Sequence, residues 1–467
     1  MKPLRAWLAF AALLGLSACS QAPMRPDLGR IYSHARHSPD STPVIVIPGL
    51  FGSKLRDRQT GAEVWPGNWQ RVLFSDYREL ALDAPEDPAM ARAPTRDIEA
   101  FAIADQVLGI DFYGPLIETL HRFGGYQPGT PGTSVPHGER RYYVFPYDWR
   151  QDNVQHAAAL DQLIEQIRRD HGDPKLRVDI VAHSMGGLVA RYYLRYGPTD
   201  VLDGQPSLIS LYGTERVRKL VLLGTPNFGA VSALHGFLRG EPIGLKRMPP
   251  EVVASLPSAY QLFPHPLAHW LSDAQGEPRS DDLYDPLTWQ TLAWGPYDPE
   301  LAARVQAQSA DGEVQLARLR RLFTHSLERA RRLAWMLSTP EPPSPVRYVM
   351  FGGNCAPTPA RVLLESQAGR MQARLQPSEI SARQAGLNYE ELMLEPGDGR
   401  VTKPSLLARD TLDPSAPQQE EAVLPIAYYF FLCERHDQLT SNINFQDNLL
   451  HILLTPQLPW DMPVNRP

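Results

Sequence analysis

The chain has 467 residues, a formal net charge of −6 and only three cysteines. This length allows one large α/β domain with insertions, or two domains. The acidic balance gives no support for a nucleic-acid partner, and no basic stripe is visible. Three cysteines are too few for a disulfide scaffold.

The N-terminal stretch has the pattern of a bacterial lipoprotein signal. Two basic residues precede an apolar run that ends at Leu16 and is too short to span a bilayer, and the sequence Leu-Ser-Ala-Cys follows. Its resemblance to a lipobox implies a diacylglyceryl group on Cys19 and cleavage before it; the alternative is a plain secretory signal with a chance cysteine. The next residue is serine rather than aspartate, which favours the outer membrane. We expect a signal peptide over 1–18, a polar tether over 19–43, and a lipid-anchored protein of the cell envelope.

Short runs of β-branched and apolar residues predict the strands of one sheet. They lie at 44–47, 140–145, 177–181, 218–223, 346–351 and 426–432. Apolar residues at helical spacing follow over 154–169 and 187–196. Strands that alternate with helices predict a mostly parallel sheet covered by helices on both faces.

Two long segments interrupt this pattern. Residues 56–136 are irregular and rich in proline, and we interpret them as a lid insertion with one helix near 112–123. Residues 230–345 are too long for a plain crossover and predict a cap insertion, which contains an Arg-rich helical run over 301–337. The core is then formed by 44–229 and 346–467. The aromatic residues of the cap either line an acyl pocket or pack in its core, and the arginine run is more typical of a solvated face than of a lipid patch.

The stretch 178–190 predicts a strand, a sharp turn and a helix. Its turn, Ala182-His183-Ser184-Met185-Gly186, is a close variant of the G-x-S-x-G nucleophile elbow. Residues two before and two after the serine must be small because the strand and helix backbones approach closely there. The motif therefore predicts Ser184 as a catalytic nucleophile; the alternative is a serine at an ordinary turn.

The strand at 44–47 ends in Pro-Gly-Leu-Phe-Gly, a loop that lets backbone N–H groups face a pocket. In α/β hydrolases the loop after this strand supplies one N–H of the oxyanion hole, and the residue after the nucleophile supplies the other. The candidates are Phe51 and Met185, both through the backbone. A simple glycine–proline turn is the alternative.

A carboxylate and a histidine follow in the order that an α/β hydrolase requires: Ser184, then Asp398, then His436. Asp398 lies between two glycines, which free the backbone to aim the side chain. The other candidates are Asp410, Asp413 and Asp437 for the acid, and His183, His265, His269 and His325 for the base. His183 adjoins the nucleophile but faces away on the turn, and the last three lie in the cap. Asp148 and Arg150 are better interpreted as a structural polar cluster than as catalytic groups, because a buried charge needs a partner.

The motifs together resemble those of the lecithin:cholesterol acyltransferase family, which also contains lysosomal phospholipases and phospholipid:diacylglycerol acyltransferases. The motifs that carry the resemblance are Val-Ile-Pro-Gly-Leu-Phe-Gly-Ser at 46–53, Pro-Tyr-Asp-Trp-Arg at 146–150, Ala-His-Ser-Met-Gly-Gly at 182–187, Gly-Thr-Pro-Asn-Phe-Gly at 224–229, Gly-Asp-Gly-Arg-Val at 397–401 and His436. The resemblance implies an α/β-hydrolase fold with a lid and a cap. It also implies a triad of Ser184, Asp398 and His436, with Phe51 and Met185 in the oxyanion hole.

These observations favour an enzyme that transfers an acyl group from a lipid or phospholipid to water or to an alcohol through an acyl-serine. Two alternatives remain: a serine hydrolase acting on a non-lipid ester or a peptide, and a catalytically silent envelope-binding protein. The sequence contains no paired-histidine or cysteine-cluster pattern, so neither a metal nor another cofactor is expected. Cys355 and Cys433 each follow one of the last two strands. They form either a disulfide or two buried thiols.

Overall fold

The computed structural model describes residues 25–34, 40–87, 97–104, 106–107, 110–204, 208–340, 344–367, 369–409, 412 and 424–455. Cys19, the predicted signal peptide and much of the predicted tether lie outside these residues, as do Asp410 and Asp413. Within the described ranges, no helix combines the length and the apolar character needed to cross a bilayer.

The centre of the fold is a sheet of seven strands whose neighbours all run parallel. Across the sheet the strands are Ile426–Leu432, Arg347–Gly353, Val217–Leu223, Val178–His183, Val44–Ile47, Arg141–Val144 and Gln127–Pro128. The six predicted strands are all present, with ends that differ by at most two residues. The predicted class, an α/β-hydrolase fold with a parallel sheet and helices on both faces, is confirmed.

The central strands of the sheet are buried on both faces, and alternate residues of these strands enter two different cores. Ile45 and Ile47 belong to the larger core, which the helices Asn153–Asp170 and Met185–Tyr196 cover. Val44 and Val46 belong to the second core, beneath the helices Gly114–Glu118 and Ile443–Leu454. Burial on both faces explains why these strands are continuous apolar runs rather than alternating ones.

The order of the strands reverses next to Val44–Ile47. After this strand the chain forms the two strands on one side of it and then returns to Val178–His183 on the other side. The loops that follow Val44–Ile47 and Val178–His183 therefore diverge at the carboxyl edge of the sheet. Such a switch point is where open α/β sheets bind ligands.

The remaining elements lie mainly in the insertions. The strands Ser53–Asp57, Glu63–Trp65 and Ile98–Ile103 form a three-stranded antiparallel sheet, and Glu241–Ile243 pairs with Lys246–Met248. The short helices are Leu28–Ile31, Trp69–Phe74, Leu234–Arg239, Pro250–Val253, Pro257–Tyr260, Pro286–Leu292, Tyr389–Met393 and Lys403–Leu406, and a π-helical turn, Thr119–Phe123, continues the predicted helix near 112–123. The arginine-rich run is two helices, Pro299–Gln306 and Gly312–Ser338, because the polar residues between them favour a turn.

The predicted cap is joined to the chain that follows it. Its strand Leu271–Asp273 pairs in parallel with Val362–Gln367, which pairs in turn with Arg370–Arg374. A second small pair, Ala356–Pro359 with Leu394–Gly397, leads to Asp398. The segment from 346 onward thus contributes to both the central sheet and a layer shared with the cap.

Candidate active site

Ser184 stands on a strained turn between the strand Val178–His183 and the helix that begins at Met185. Its φ of 53° and ψ of −126° are backbone angles that residues other than glycine rarely adopt. A Cβ at Gly186 would lie 2.4 Å from the Pro48 carbonyl oxygen, and one at Gly187 would lie 2.0 Å from Thr225 Oγ1. The two glycines therefore permit the close approach that the elbow requires.

Three side chains form one hydrogen-bonded chain at this turn. Ser184 Oγ lies 2.9 Å from His436 Nε2, and His436 Nδ1 lies 2.8 Å from Asp398 Oδ2. A carboxylate oxygen can only accept, so His436 donates from Nδ1, and its Nε2 is free to accept the serine proton. The structure thus brings together the three residues predicted as nucleophile, base and acid, in a geometry suited to nucleophilic catalysis.

The second oxygen of Asp398 is held by its own loop. Asp398 Oδ1 accepts hydrogen bonds from the Arg400 amide at 3.0 Å and from the Val401 amide at 2.7 Å. The side chain is buried, and burial alone would raise its pKa. The His436 ring and the two amides favour the charged form more strongly, so the pKa of Asp398 lies below its ordinary value. The carboxylate is therefore ionised at neutral pH and fixed in direction.

The two amides predicted for the oxyanion hole lie at the same edge of the sheet. Phe51 has a φ of 63°, and its carbonyl accepts from Trp65 Nε1 at 2.9 Å, which fixes the peptide. Met185 is the first residue of its helix, where backbone N–H groups have no partner within the helix. Among the described residues, neither amide donates to a protein acceptor. Both are therefore available to a ligand, and their catalytic role stays a prediction.

The Pro-Tyr-Asp-Trp-Arg motif supports the loop that carries Phe51. The Tyr147 hydroxyl donates to the Pro48 carbonyl at 2.8 Å, and Trp149 Nε1 donates to the Ser53 carbonyl at 3.1 Å. The Trp149 ring also packs edge-on against Phe51, with 4.6 Å between ring centroids. The tyrosine and the tryptophan therefore hold both ends of this loop, residues 48–53, which we name the oxyanion loop after its predicted role. As expected, Asp148 and Arg150 pair with each other, through two contacts of 2.7 and 2.8 Å.

A cavity of about 470 Å³ opens over Ser184 and His436. Its walls are mainly apolar and come from the oxyanion loop, the lid segment and the cap. They include Leu50, Val72, Phe112, Ile243, Leu256 and Leu262. The polar groups of the lining include two ion pairs, Arg400 with Glu241 and Arg435 with Asp437. The cavity can therefore hold an apolar chain and also offers charged groups to the polar part of a ligand.

The other predicted candidates are placed differently. His265 is buried, bonds Ser338 Oγ through Nε2 at 2.8 Å and stacks on Phe228, which is a structural environment. Asp437 pairs with Arg435 rather than with His436.

His183 faces away from the Ser184 hydroxyl, but both of its ring nitrogens have hydrogen-bond partners. Its Nδ1 lies 2.8 Å from the Tyr113 hydroxyl and its Nε2 lies 3.2 Å from the His436 carbonyl. Tyr113 was not identified from the sequence, because no motif marks a tyrosine at the start of the helix predicted near 112–123 as a partner of His183.

Cys355 and Cys433 are disulfide-bonded, with 5.0 Å between their Cα atoms. The strands Arg347–Gly353 and Ile426–Leu432 are neighbours whose last residues pair in register, which places the two cysteines side by side. Of the two options that the sequence left open, the structure has the bridge. It joins the start of the segment that carries Asp398 to the loop that carries His436.

Residues 138–326 match the family model described as lecithin:cholesterol acyltransferase. This segment is 189 of the 467 residues and contains Ser184. Over these residues the chain is similar to the lecithin:cholesterol acyltransferase family. Asp398 and His436 lie beyond the matched segment, so their assignment depends on the geometry described above.

Two curated relatives match a shorter stretch. The chain is 32% identical over 99 residues to the lysosomal phospholipase A and acyltransferase of Bos taurus, and 31% identical to that of Homo sapiens. The aligned stretch covers 21% of this chain and 21% of each relative. Among solved structures, a chain in the crystal structure of the Tle4–Tli4 complex is similar over 88% of this chain and 98% of its own length, with a TM-score of 0.54 at 16% identity. That likeness concerns the fold alone.

Proposed function

We propose that this protein is a serine-dependent lipid acyl-ester hydrolase or O-acyltransferase that works through an acyl-enzyme. The observation that carries the proposal is the aligned chain of Ser184, His436 and Asp398 at the floor of a largely apolar cavity. The family of the matched segment and the names of the curated relatives point to the same class of reaction.

The geometry supports a two-step acyl transfer. Ser184 Oγ attacks the ester carbonyl while His436 Nε2 takes its proton, and the Phe51 and Met185 amides donate to the oxyanion. His436 then gives the proton to the departing alcohol, which leaves an acyl-serine. In the second step His436 removes a proton from water or an acceptor alcohol as that oxygen attacks the acyl carbonyl, and Ser184 Oγ then leaves and takes the proton back from His436. Asp398 keeps the imidazole in the required tautomer throughout.

The cavity favours a lipid over a soluble ester or a peptide. Its apolar walls match an acyl chain, and the charged residues in its lining match the polar part of a lipid. A catalytically silent binding protein is disfavoured, because a binding role needs neither the strained serine nor the aligned histidine and carboxylate.

The first test is covalent labelling with a fluorophosphonate probe. Wild-type protein should be labelled on the peptide that contains Ser184, and Ser184→Ala should not react. Ser232 lines the same cavity and provides a matched control, since Ser232→Ala should still be labelled. Labelling that survives in Ser184→Ala would refute the assignment.

The second test identifies the substrate. Purified protein is incubated with phospholipid that carries a labelled acyl chain, with and without an added long-chain alcohol. A free labelled fatty acid indicates hydrolysis, and a labelled ester of the alcohol indicates transfer. Cleavage of soluble short-chain esters alone would favour the non-lipid alternative instead.

We also propose that the protein is held at the cell envelope, at the outer membrane, by lipid on Cys19. The support is the lipobox pattern of the sequence. Cys19→Ser should leave an uncleaved precursor that no longer incorporates labelled palmitate. A mutant that is processed and membrane-bound like the wild type would exclude this anchor.

A further inference from the structure

A buried tyrosine and a buried histidine connect the oxyanion loop to the loop that carries His436. The Gly49 amide donates to the Tyr113 hydroxyl at 2.9 Å, and this hydroxyl lies 2.8 Å from His183 Nδ1. His183 Nε2 lies 3.2 Å from the backbone carbonyl of His436. Tyr113 is 3% exposed and His183 is 9% exposed, so water competes little for these bonds.

The direction of every bond in this chain follows from its two ends. A carbonyl can only accept, so His183 carries its proton on Nε2 and donates it to His436. A neutral imidazole protonated on Nε2 has an acceptor at Nδ1, so the Tyr113 O–H donates there. The Tyr113 oxygen is then free to accept from the Gly49 N–H. Tyr113 therefore selects the tautomer that His183 needs in order to hold the His436 carbonyl.

The surroundings keep His183 neutral during this role. Burial, followed by the nearby His436 ring, lowers the pKa of His183 to about 3. A charged His183 would oppose the imidazolium that forms on His436, since the two ring centroids are only 4.9 Å apart. A neutral histidine supplies the hydrogen bond without that repulsion.

We propose that Tyr113 and His183 are positioning residues that hold the oxyanion loop, the nucleophile turn and the His436 loop in mutual register. The proposal rests on the function proposed above and assigns to these two residues a role that acts through the groups they hold in place. Gly49 precedes the oxyanion amide by two residues, His183 adjoins Ser184, and the third contact is on His436 itself. One hydrogen-bonded chain thus reaches the three loops that must stay within a fraction of an ångström for catalysis.

Removing the tyrosine hydroxyl is the first part of the test. Tyr113→Phe leaves His183 Nδ1 without a donor, so the tautomer is no longer selected and the His436 loop is released. We expect kcat on a p-nitrophenyl ester to fall by about 10- to 100-fold, with KM changed by less than about threefold. In ¹⁵N spectra of wild-type protein, His183 should be protonated on Nε2 and should not titrate between pH 8 and pH 5. The Nδ1 signal should move in Tyr113→Phe.

A matched control separates positioning from general destabilisation. The hydroxyl of buried Tyr192 also makes one donated and one accepted bond, to the Thr199 carbonyl at 2.6 Å and from the Val201 amide at 2.9 Å, away from the cavity. Tyr192→Phe should lower thermal stability about as much as Tyr113→Phe while leaving kcat unchanged.

Two substitutions of His183 test the hydrogen bonds themselves. A glutamine amide can donate to the His436 carbonyl and accept from Tyr113, whereas methionine fills similar space and can do neither. His183→Gln should therefore retain several-fold more kcat than His183→Met. All rates are normalised to the folded fraction.

The outcomes distinguish this inference from the proposed function. If wild-type protein neither cleaves esters nor reacts with fluorophosphonate, both proposals fail. If wild-type protein is active but Tyr113→Phe and His183→Met keep its kcat, only the positioning role is overturned. Equal kcat losses in Tyr113→Phe and Tyr192→Phe would also overturn it, because they would show general destabilisation.

Discussion

Replacing Asp398 with asparagine should abolish most activity, because the loop dictates how the new amide is oriented. Two backbone N–H groups point at Oδ1, so the amide oxygen must stay there, and the NH₂ group must take the place of Oδ2. That group then faces His436 Nδ1, which lies 2.8 Å from Oδ2 in the wild type. Two donors cannot face each other, so the imidazole moves its proton to Nε2.

An imidazole protonated on Nε2 cannot accept the proton of Ser184, and the charge that stabilises the imidazolium is also lost. Such a tautomer error costs about 10⁴-fold in kcat in a well-studied serine protease. We expect a fall of about 10³- to 10⁴-fold here, equivalent to about 4–5.5 kcal/mol of transition-state stabilisation. Asparagine preserves both backbone hydrogen bonds, so the thermal midpoint should change little.

The assay is steady-state hydrolysis of a p-nitrophenyl ester, supported by the rate of fluorophosphonate labelling. Asp437→Asn provides the control, since that carboxylate also lies at the cavity but pairs with Arg435. The control should stay within about threefold of wild type, a cost of less than about 1 kcal/mol. If Asp398→Asn retained more than a tenth of wild-type kcat, the assignment of Asp398 and the tautomer argument would both be wrong.

Three further predictions concern the pH dependence of unfolding, the disulfide bridge and an exposed apolar surface beside the cavity. Three buried histidines are held neutral, chiefly because burial lowers their pKa values to between about 3 and 4: His156, His183 and His265. In the unfolded chain these histidines bind protons near pH 6.5. The free energy of unfolding, measured with urea, should therefore fall below that pH by about 1.4 kcal/mol per pH unit for each histidine. A free energy of unfolding that stays constant from pH 6.5 to pH 4 would contradict this prediction. Cys355→Ser removes a disulfide between residues 78 positions apart and should lower the free energy of unfolding by up to about 4.5 kcal/mol in the chain-entropy model. A thermal midpoint that neither Cys355→Ser nor dithiothreitol changes would exclude a stabilising bridge. Three large apolar side chains are exposed on segments that adjoin the cavity: Trp69, Phe74 and Leu245. Their joint replacement by serine should reduce hydrolysis of vesicle lipid far more than hydrolysis of a soluble ester, and equal losses on both would argue against a membrane contact.

The sequence predicted the parts of the site that depend on local pattern. Ser184 was identifiable because an elbow needs small residues at fixed offsets beside a β-branched strand. Asp398 and His436 followed from chain order and from their places after strands. These signals lie within a few residues of the groups they identify, so no long-range contact had to be inferred.

The parts that were not predictable depend on contacts between distant segments. Tyr113 lies 70 residues before His183, and a predicted helix near 112–123 does not indicate which distant residue its tyrosine contacts. The small sheet formed by Leu271–Asp273 and Val362–Gln367 joins short strands from two segments that the sequence assigned to different regions. The edge strand Gln127–Pro128 has only two residues, too few to show a pattern.

One cluster of ion pairs restricts how substrate can reach Ser184. Arg329, on the long helix Gly312–Ser338, is 5% exposed and bonds three carboxylates: Asp152 at 2.7 Å, Asp200 at 3.1 Å and Asp203 at 2.6 Å. Asp152 also caps the core helix Asn153–Asp170 through its other oxygen. Moving the long helix away from the core would leave a buried charge without its partner. The loss of one partner of such a pair costs about 3–5 kcal/mol of stability. A hinge motion of the whole cap would break this cluster, so we expect substrate to reach Ser184 without displacement of the long helix.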